Sequence, residues 1–413
     1  MNLENWLEHL PATPEPTLSE SLRSWEITNP LSGASATSPP IKQRPDTEFE
    51  DTTSLLSDSS ISDCTDIQSD ACSTSYQNSP QDTPVRDIFN QLRVAKPPIL
   101  CQPQAIGPVP NGVLSMRKCL TDGFGQRIIP RGLESRIRKS DPVAAEEIPQ
   151  TAYDDGTHMS DADLEGLWSD LESIRLEARY CDMYEKDENA WGLDVVQPIL
   201  QSALKGTRKL QVTNVQSQQI DPLLLPVLNG SSPRIGKKAD YAFSFACRDH
   251  EVHNLYQRVS LGGHGYQISH TTDAFTKRTI LFSGLEVNAD DGGKKAALAQ
   301  LSLWLTANLE QIQRLGKFVK GGSSVSFEEL TLPTVGYTVI GHDWYTYIAY
   351  RMGSESHVVG PITSVLADTR STYGILKVCD LMSRTKTYAT EVFWPWIRDE
   401  ILQPLAMHPS LDE

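Results

Sequence analysis

The sequence predicts an α/β (α+β) domain built on a central mixed sheet flanked by helices, behind a long disordered N-terminal arm. Three observations point to it. Composition changes character near residue 155. Beyond that point, stretches with helical spacing and stretches with strict alternation follow one another. Six of the eight tryptophans, Trp168, Trp191, Trp304, Trp344, Trp394 and Trp396, also fall there. The domain is therefore expected over 156–408 and the arm over 1–155.

In the arm, Ser, Thr, Pro and Asp dominate, as in Asp51-Thr52-Thr53-Ser54 and Ser57-Asp58-Ser59-Ser60. Such a segment buries too little apolar area to offset the entropy lost on ordering it. Two helical islands interrupt it. One is Leu3 to Leu10, with Leu3, Trp6, Leu7 and Leu10 at helical spacing; the other is Val85 to Leu92. They read as transient helix in a linker or as docking segments for the domain or a protein partner. Ser79-Pro80 and Thr83-Pro84 are weak candidates for phosphate acceptors. The cluster Arg131, Arg136, Arg138 and Lys139 reads as a solvated linker in preference to a nuclear import signal.

In the domain, Ser160-Asp161-Ala162-Asp163 offers side-chain oxygens to the free N–H groups of a helix start. Leu164, Leu167, Trp168, Leu171 and Ile174 continue that helix at steps of three and four. A second helix is expected from Glu188 to Leu204, with Trp191, Val195, Ile199 and Ala203 along one stripe. Leu210 to Val215 has β character. Lys238 to Cys247 alternates, with Tyr241, Phe243 and Phe245 on one face and Asp240, Ala242 and Ser244 on the other. The third strand runs from Thr279 to Asn288, with Leu281, Leu285 and Val287 opposite Glu286 and Asn288. His250, His253, His264 and His270 lie between these two strands without metal-ligand spacing, which predicts a long polar loop. Asp290-Asp291-Gly292-Gly293 makes a turn and a cap for a strong helix whose stripe is Ala297, Leu298, Leu301, Trp304, Leu305, Leu309 and Ile312. Two strands, Val335 to Ile340 and Trp344 to Ile348, and two helices near 371–385 and 391–405 close the domain. His342-Asp343 reads as a strand-end turn before Trp344, not as a catalytic pair.

The formal net charge of -16 argues against a DNA-coating protein, since phosphate binding rests on Lys and Arg. It suits a site where acidic ligands hold a cation. Seven scattered cysteines with no CxxC pair suggest neither a disulfide framework nor a zinc site, and so a reducing compartment, nucleus or cytoplasm. No stretch approaches the roughly 20 apolar residues that cross a bilayer, so no membrane partner is expected.

The chemistry-bearing residues are carboxylates at element ends: Glu188 at a helix head, Asp240 at the second strand and Glu286 on the polar face of the third. Acids converging from separate elements are costly to desolvate unless they share a cation. All-oxygen ligation suits Mg²⁺ or Mn²⁺. Taken in order, Glu188-Asn189-Ala190-Trp191, Lys237-Lys238-Ala239-Asp240-Tyr241, Leu285-Glu286-Val287-Asn288 and Gln300-Leu301-Ser302-Leu303-Trp304 resemble the fungal PD-(D/E)XK nuclease-like family. Gly341-His342-Asp343-Trp344 and Trp394-Pro395-Trp396 fit its C-terminal half, so that the similarity covers roughly 160–405. The ordered set carries the resemblance; none of its short motifs is specific alone.

The resemblance implies a restriction-endonuclease-like core acting on nucleic acid. Asp240 and Glu286 would hold the metal, Glu188 would assist, and Gln300 would face the site from the next helix. The sequence departs from the family at one decisive place, where Asn288 stands at the motif lysine. Asparagine can bond a water but carries no charge. Lys294 or Lys295 at the next helix start, or Lys238 beside the metal aspartate, are candidates to return a cation and meet the substrate. A site without that cation is slow or silent. The alternative is accordingly a catalytically silent binding or regulatory protein that keeps the fold, for instance one accessory to fungal secondary metabolism.

Overall fold

The computed structural model describes residues 85–156, 159–228, 239–289, 293–321 and 331–407. The described residues all belong to one compact unit, Gln77–Glu413. The expected helix at Leu3 to Leu10, both phosphate-acceptor dipeptides, Lys238 and Asp290 to Gly292 lie outside them.

The principal helices are α1 (Val85–Val94), α2 (Asn111–Thr121), α3 (Asp161–Met183), α5 (His250–Leu261), α6 (Lys294–Val319) and α7 (Thr372–Tyr388). Between α3 and α5, helix α4 is built of abutting segments Glu188–Ala190, Trp191–Val196 and Gln197–Ala203, the middle one π-helical. Besides a two-stranded pair of Ile129–Pro130 with Tyr153–Asp154, the strands of the main sheet are β1 (Ile99–Gln102), β2 (Leu210–Asn214), β3 (Tyr241–Phe245), β4 (Gly284–Asn288), β5 (Thr334–Ile340), β6 (Asp343–Met352), β7 (Glu355–Val359) and β8 (Ala367–Asp368). They form one eight-stranded sheet in the order β1-β7-β6-β5-β4-β3-β2, with β8 paired to β6. β4 runs parallel to β5 and β1 parallel to β7; the other pairs of this sheet are antiparallel. A parallel pair cannot be joined by a tight turn, and α6 supplies the crossover from β4 to β5. This is the mixed sheet with flanking helices that the sequence predicts.

The sheet separates two apolar layers. On one face Tyr241, Phe243, Leu285, Val287, Tyr337 and Val339 pack with residues of α3, α4 and α7. On the other, Ala242, Tyr347 and Ala349 pack against Leu301, Trp304 and Leu305 of α6. Two glycines let α6 lie close to the sheet. A Cβ built on Gly284 would stand 2.5 Å from Trp304 Cδ1, and one on Gly336 would stand 2.6 Å from Leu305 Cδ1.

Four sequence expectations are corrected. The arm does not extend to 155: β1 pairs in register with β7, and Val113, Met116 and Leu120 of α2 are buried. These runs are short and polar in company, and non-local pairing buries them. The basic cluster is no free linker, because Arg131 pairs with Asp155 and Glu134, Arg136 with Glu165, and Arg138 with Glu146. The His-bearing loop is half helix: Asp249 accepts from the N–H groups of Glu251 and Val252 and starts α5. Finally, Leu281 packs in the α6 layer while Leu285 and Val287 pack on the opposite face. Ser283, at φ +95, inserts an extra residue between them, and its Oγ accepts the Phe243 N–H. A bulge of this kind reverses the phase of alternation on one side of it.

Candidate functional site

Asp240 stands where the β3–β4 ladder ends. Its own N–H donates to Leu285 O at 2.8 Å, and its Oδ2 accepts the Val287 N–H at 2.6 Å. Asp240 is thus bonded to the residues on both sides of Glu286. Because both bonds converge on β4, the chain brings Asp240 next to the strand segment that carries Glu286, 46 positions later in sequence. Glu286 is only 6 % exposed. It shares strand parity with Gly284, whose face meets Leu301 and Trp304 of α6, so Glu286 belongs to the α6 layer.

A transverse row continues from it. Register pairs Glu286 with Thr338 on β5, and Thr338 with Tyr345 on β6. Over the Tyr345 ring, 3.4 Å from its centroid, lies the Nζ of Lys294, the first residue of α6. Burial against this ring lowers the Lys294 pKa, while Asp343 pulls it the other way. Tyr345 Oη donates to Asp343 Oδ2 at 3.5 Å, and Asp343 is also paired to Arg370. Two strand spacings, roughly 10 Å, separate Glu286 from Tyr345 in the sheet plane. Lys294 is therefore a cation placed beside Glu286 and not on it. The sequence marked Lys294 but not Tyr345, although alternation with Tyr347 would have put that tyrosine on the α6 face.

The remaining expected residues are distributed as follows. Asn288 ends β4, half-buried, and its carbonyl accepts the Gly341 N–H at 3.0 Å. Gln300 is half-buried on α6, one residue before Leu301, which faces the sheet. Lys295 is exposed. Gly293 is the N-cap of α6 and gives no side-chain bond, so the expected acidic cap is not made by that residue. Glu188 opens α4 and is exposed, and α4 packs on the other layer, where Trp191 and Tyr241 lie. Among the described residues no group of three or more His, Cys, Asp or Glu stands ready to hold one ion. Where the sequence predicted three converging acids, the hydrogen bonds join only Asp240 to the strand segment around Glu286. Asp240 and Glu286 are an oxygen donor set that fits Mg²⁺ or Mn²⁺, which are held by one or two carboxylates and complete their shell with water and phosphate oxygens.

His342 behaves as the turn residue it was expected to be. Its Nδ1 lies 2.9 Å from Thr369 Oγ1, its ring meets Trp191 edge to face, and burial lowers its pKa. The described cysteines, Cys101, Cys119, Cys181, Cys247 and Cys379, are free thiols. No helix among the described residues is long and apolar enough to cross a membrane.

Against known families, the one described as the PD-(D/E)XK nuclease superfamily matches residues 138–394, more than half of the chain. The span contains Glu188, Asp240, Glu286, Asn288 and Gln300. No curated protein and no solved structure matches the chain.

Proposed function

The chain belongs to the PD-(D/E)XK nuclease superfamily, and from that premise we propose that it hydrolyses phosphodiester bonds of nucleic acid, slowly, at the Asp240–Glu286 pair. The observation that carries this is the bracketing of Glu286 by Asp240, whose N–H and Oδ2 bond the backbone of the residues on both sides of it on β4. These two residues would hold Mg²⁺ or Mn²⁺; when bound, such an ion acidifies water, polarises the phosphorus centre and stabilises the leaving oxygen. The buried position of Glu286 keeps bulk water from diluting its charge. Lys294, held over Tyr345, meets a phosphate of the substrate and offsets the negative field of the chain. Lys295, exposed beside it, adds to that contact, and Lys238, two positions before Asp240 in sequence, is proposed to do so as well. Gln300 and Asn288 orient the attacking water through their amides, and Glu188, exposed on the helix of the opposite layer, has no role at the pair.

Asn288 sets the rate. A lysine ammonium at this position would stabilise charge building on the phosphate, and its loss costs on the order of 2.7–4 kcal/mol, about 10² to 10³ in rate. The same residue supports a second reading, a protein that keeps the fold to bind or regulate without cleaving.

Calorimetric titration with Mn²⁺ reads the carboxylate pair without reference to activity. Binding is expected in the native chain and is lost in Glu286→Ala. Cleavage of single- and double-stranded DNA and RNA then distinguishes the two readings. Metal-dependent cleavage that rises in Asn288→Lys supports the enzyme. Metal binding with no cleavage in either form supports the silent protein, and absence of metal binding in the native chain sinks the site as drawn.

A further inference from the structure

At the end of β3 remote from Asp240, a cavity of about 420 Å³ opens between that strand end, α5 and the chain from Gly265 to Thr279. The seven residue steps from Asp240 to Cys247 span roughly 23 Å when extended, so this cavity is separate from the Asp240–Glu286 site. Its volume lies in the range of about 300–1,000 Å³ typical of small-molecule sites.

The lining is apolar at the bottom and cationic at the mouth. Tyr256 and Ile268 form the buried floor, and Phe275 stands half exposed at the side. The polar end of Tyr256 is already committed, since its Oη donates to Phe245 O and accepts from the Ile280 N–H. Only its ring is left to meet a ligand. At the mouth stands Arg278, which makes no salt bridge among the described residues, with His253 nearby. No Asp or Glu lines the cavity. Asp273, the nearest acid along this segment, is turned into its own loop, where it accepts from the N–H groups of Phe275 and Thr276. An unpaired guanidinium at the mouth of an acid-free, ring-lined cavity stands out in a chain of net charge -16.

We propose that this cavity binds a flat apolar monoanion, an aromatic carboxylate, with its ring against Tyr256 and Phe275 and its carboxylate on Arg278. Planar guanidinium matches carboxylate with two parallel hydrogen bonds, and aromatic faces favour a flat ring. Neither cleavage nor a bound metal is needed, so the inference stands apart from the proposed nuclease activity.

Calorimetry of the full chain with 1-naphthoate and with 1-naphthylmethylammonium, the same ring bearing the opposite charge, tests it. Naphthoate is expected to bind saturably at one site and the ammonium isostere not at all. Arg278→Ala, at an exposed position that leaves the core intact, should weaken naphthoate at least tenfold, and Ala274→Trp, which fills the cavity, should abolish binding. Asp240→Asn should leave it unchanged. Absence of saturable naphthoate binding, equal binding of the two isosteres, equal affinity in Arg278→Ala, or loss in Asp240→Asn would each overturn the proposal.

Discussion

Asp240 has a structural and a proposed chemical role, and two substitutions separate them. Its Oδ2 satisfies the Val287 N–H, which β3 no longer reaches with a backbone carbonyl. Asp240→Ala leaves that donor without its acceptor, at a cost of about 1–3 kcal/mol. Asp240→Asn keeps an acceptor and loses the charge. Urea unfolding should therefore show a clear loss for the alanine variant and little for the asparagine one, while both lose Mn²⁺ binding. Equal stability losses would mean the hydrogen bond contributes nothing. His270 makes a second residue-scale prediction. Burial, against a smaller opposing pull from Asn308, lowers its pKa from 6.5 to about 3. Its ring meets Trp304 edge to face at 4.3 Å, and Trp304 Nε1 donates to Ser283 O in the bulge below Glu286. The folded state holds this imidazole neutral, so its contribution is complete above pH 6.5 and drains away as pH falls toward 3. The melting temperature should fall between pH 7 and pH 4.5 more steeply in the native chain than in His270→Gln. Parallel slopes would remove His270 as a source of acid sensitivity. The sequence identified the carboxylates because they sit at element ends; it put His270 in a polar loop, because the burial that sets its state comes from a helix residue 34 positions later.

At the scale of elements, β4 and α6 form the unit that shapes the site. Alternation placed Tyr241, Phe243 and Phe245 correctly on one face, because β3 is regular along its length. It misplaced Leu281 because a bulge carries no periodic signal: Ser283 looks like any strand serine until its backbone is seen at φ +95. The contact between helix and sheet makes a graded prediction. A Cβ at position 284 would strike the Trp304 indole, which is anchored by its bond to Ser283 O. A Cβ at 336 would meet the methyl ends of Leu301 and Leu305, which can turn aside. Overpacking costs about 1–3 kcal/mol. Gly284→Ala should fall at the upper end and Gly336→Ala at the lower in urea unfolding, and the reverse order would contradict the anchored-indole account. The helix start makes a further prediction. If Lys294 meets phosphate, Lys294→Ala weakens nucleic-acid binding for every sequence alike and reduces the slope of log affinity against log salt by about one. An unchanged slope would return Lys294 to a packing role over Tyr345.

Across the whole molecule, the family pattern was legible because its acids and helix stripes are local features, whereas the domain boundary was not. Composition placed that boundary near 155, since the segment before it is rich in Ser, Pro and charged residues. What composition omits is pairing: Ile99, Leu100, Cys101 and Gln102 become a strand because Ser356, His357, Val358 and Val359 stand ready beside them. Four residues carry no readable period, and β7 itself was missed for the same reason. β1 is a sheet edge, and α2 lays Val113, Met116 and Leu120 into the core shared with α7. A chain beginning at Gly156 would lose both. It would uncover the hydrogen-bonding edge of β7, where Val358 and Val359 are buried, and an exposed apolar strand edge invites pairing with other chains. A chain beginning at Gln77 retains every strand and helix described above. Full-length, 77–413 and 156–413 proteins should be compared by thermal melting and sedimentation. The 77–413 form is expected to melt with the full chain and the 156–413 form to aggregate or melt well below both. A soluble 156–413 protein with an unchanged melting temperature would show that β1 and α2 are appended to a core that already stands without them.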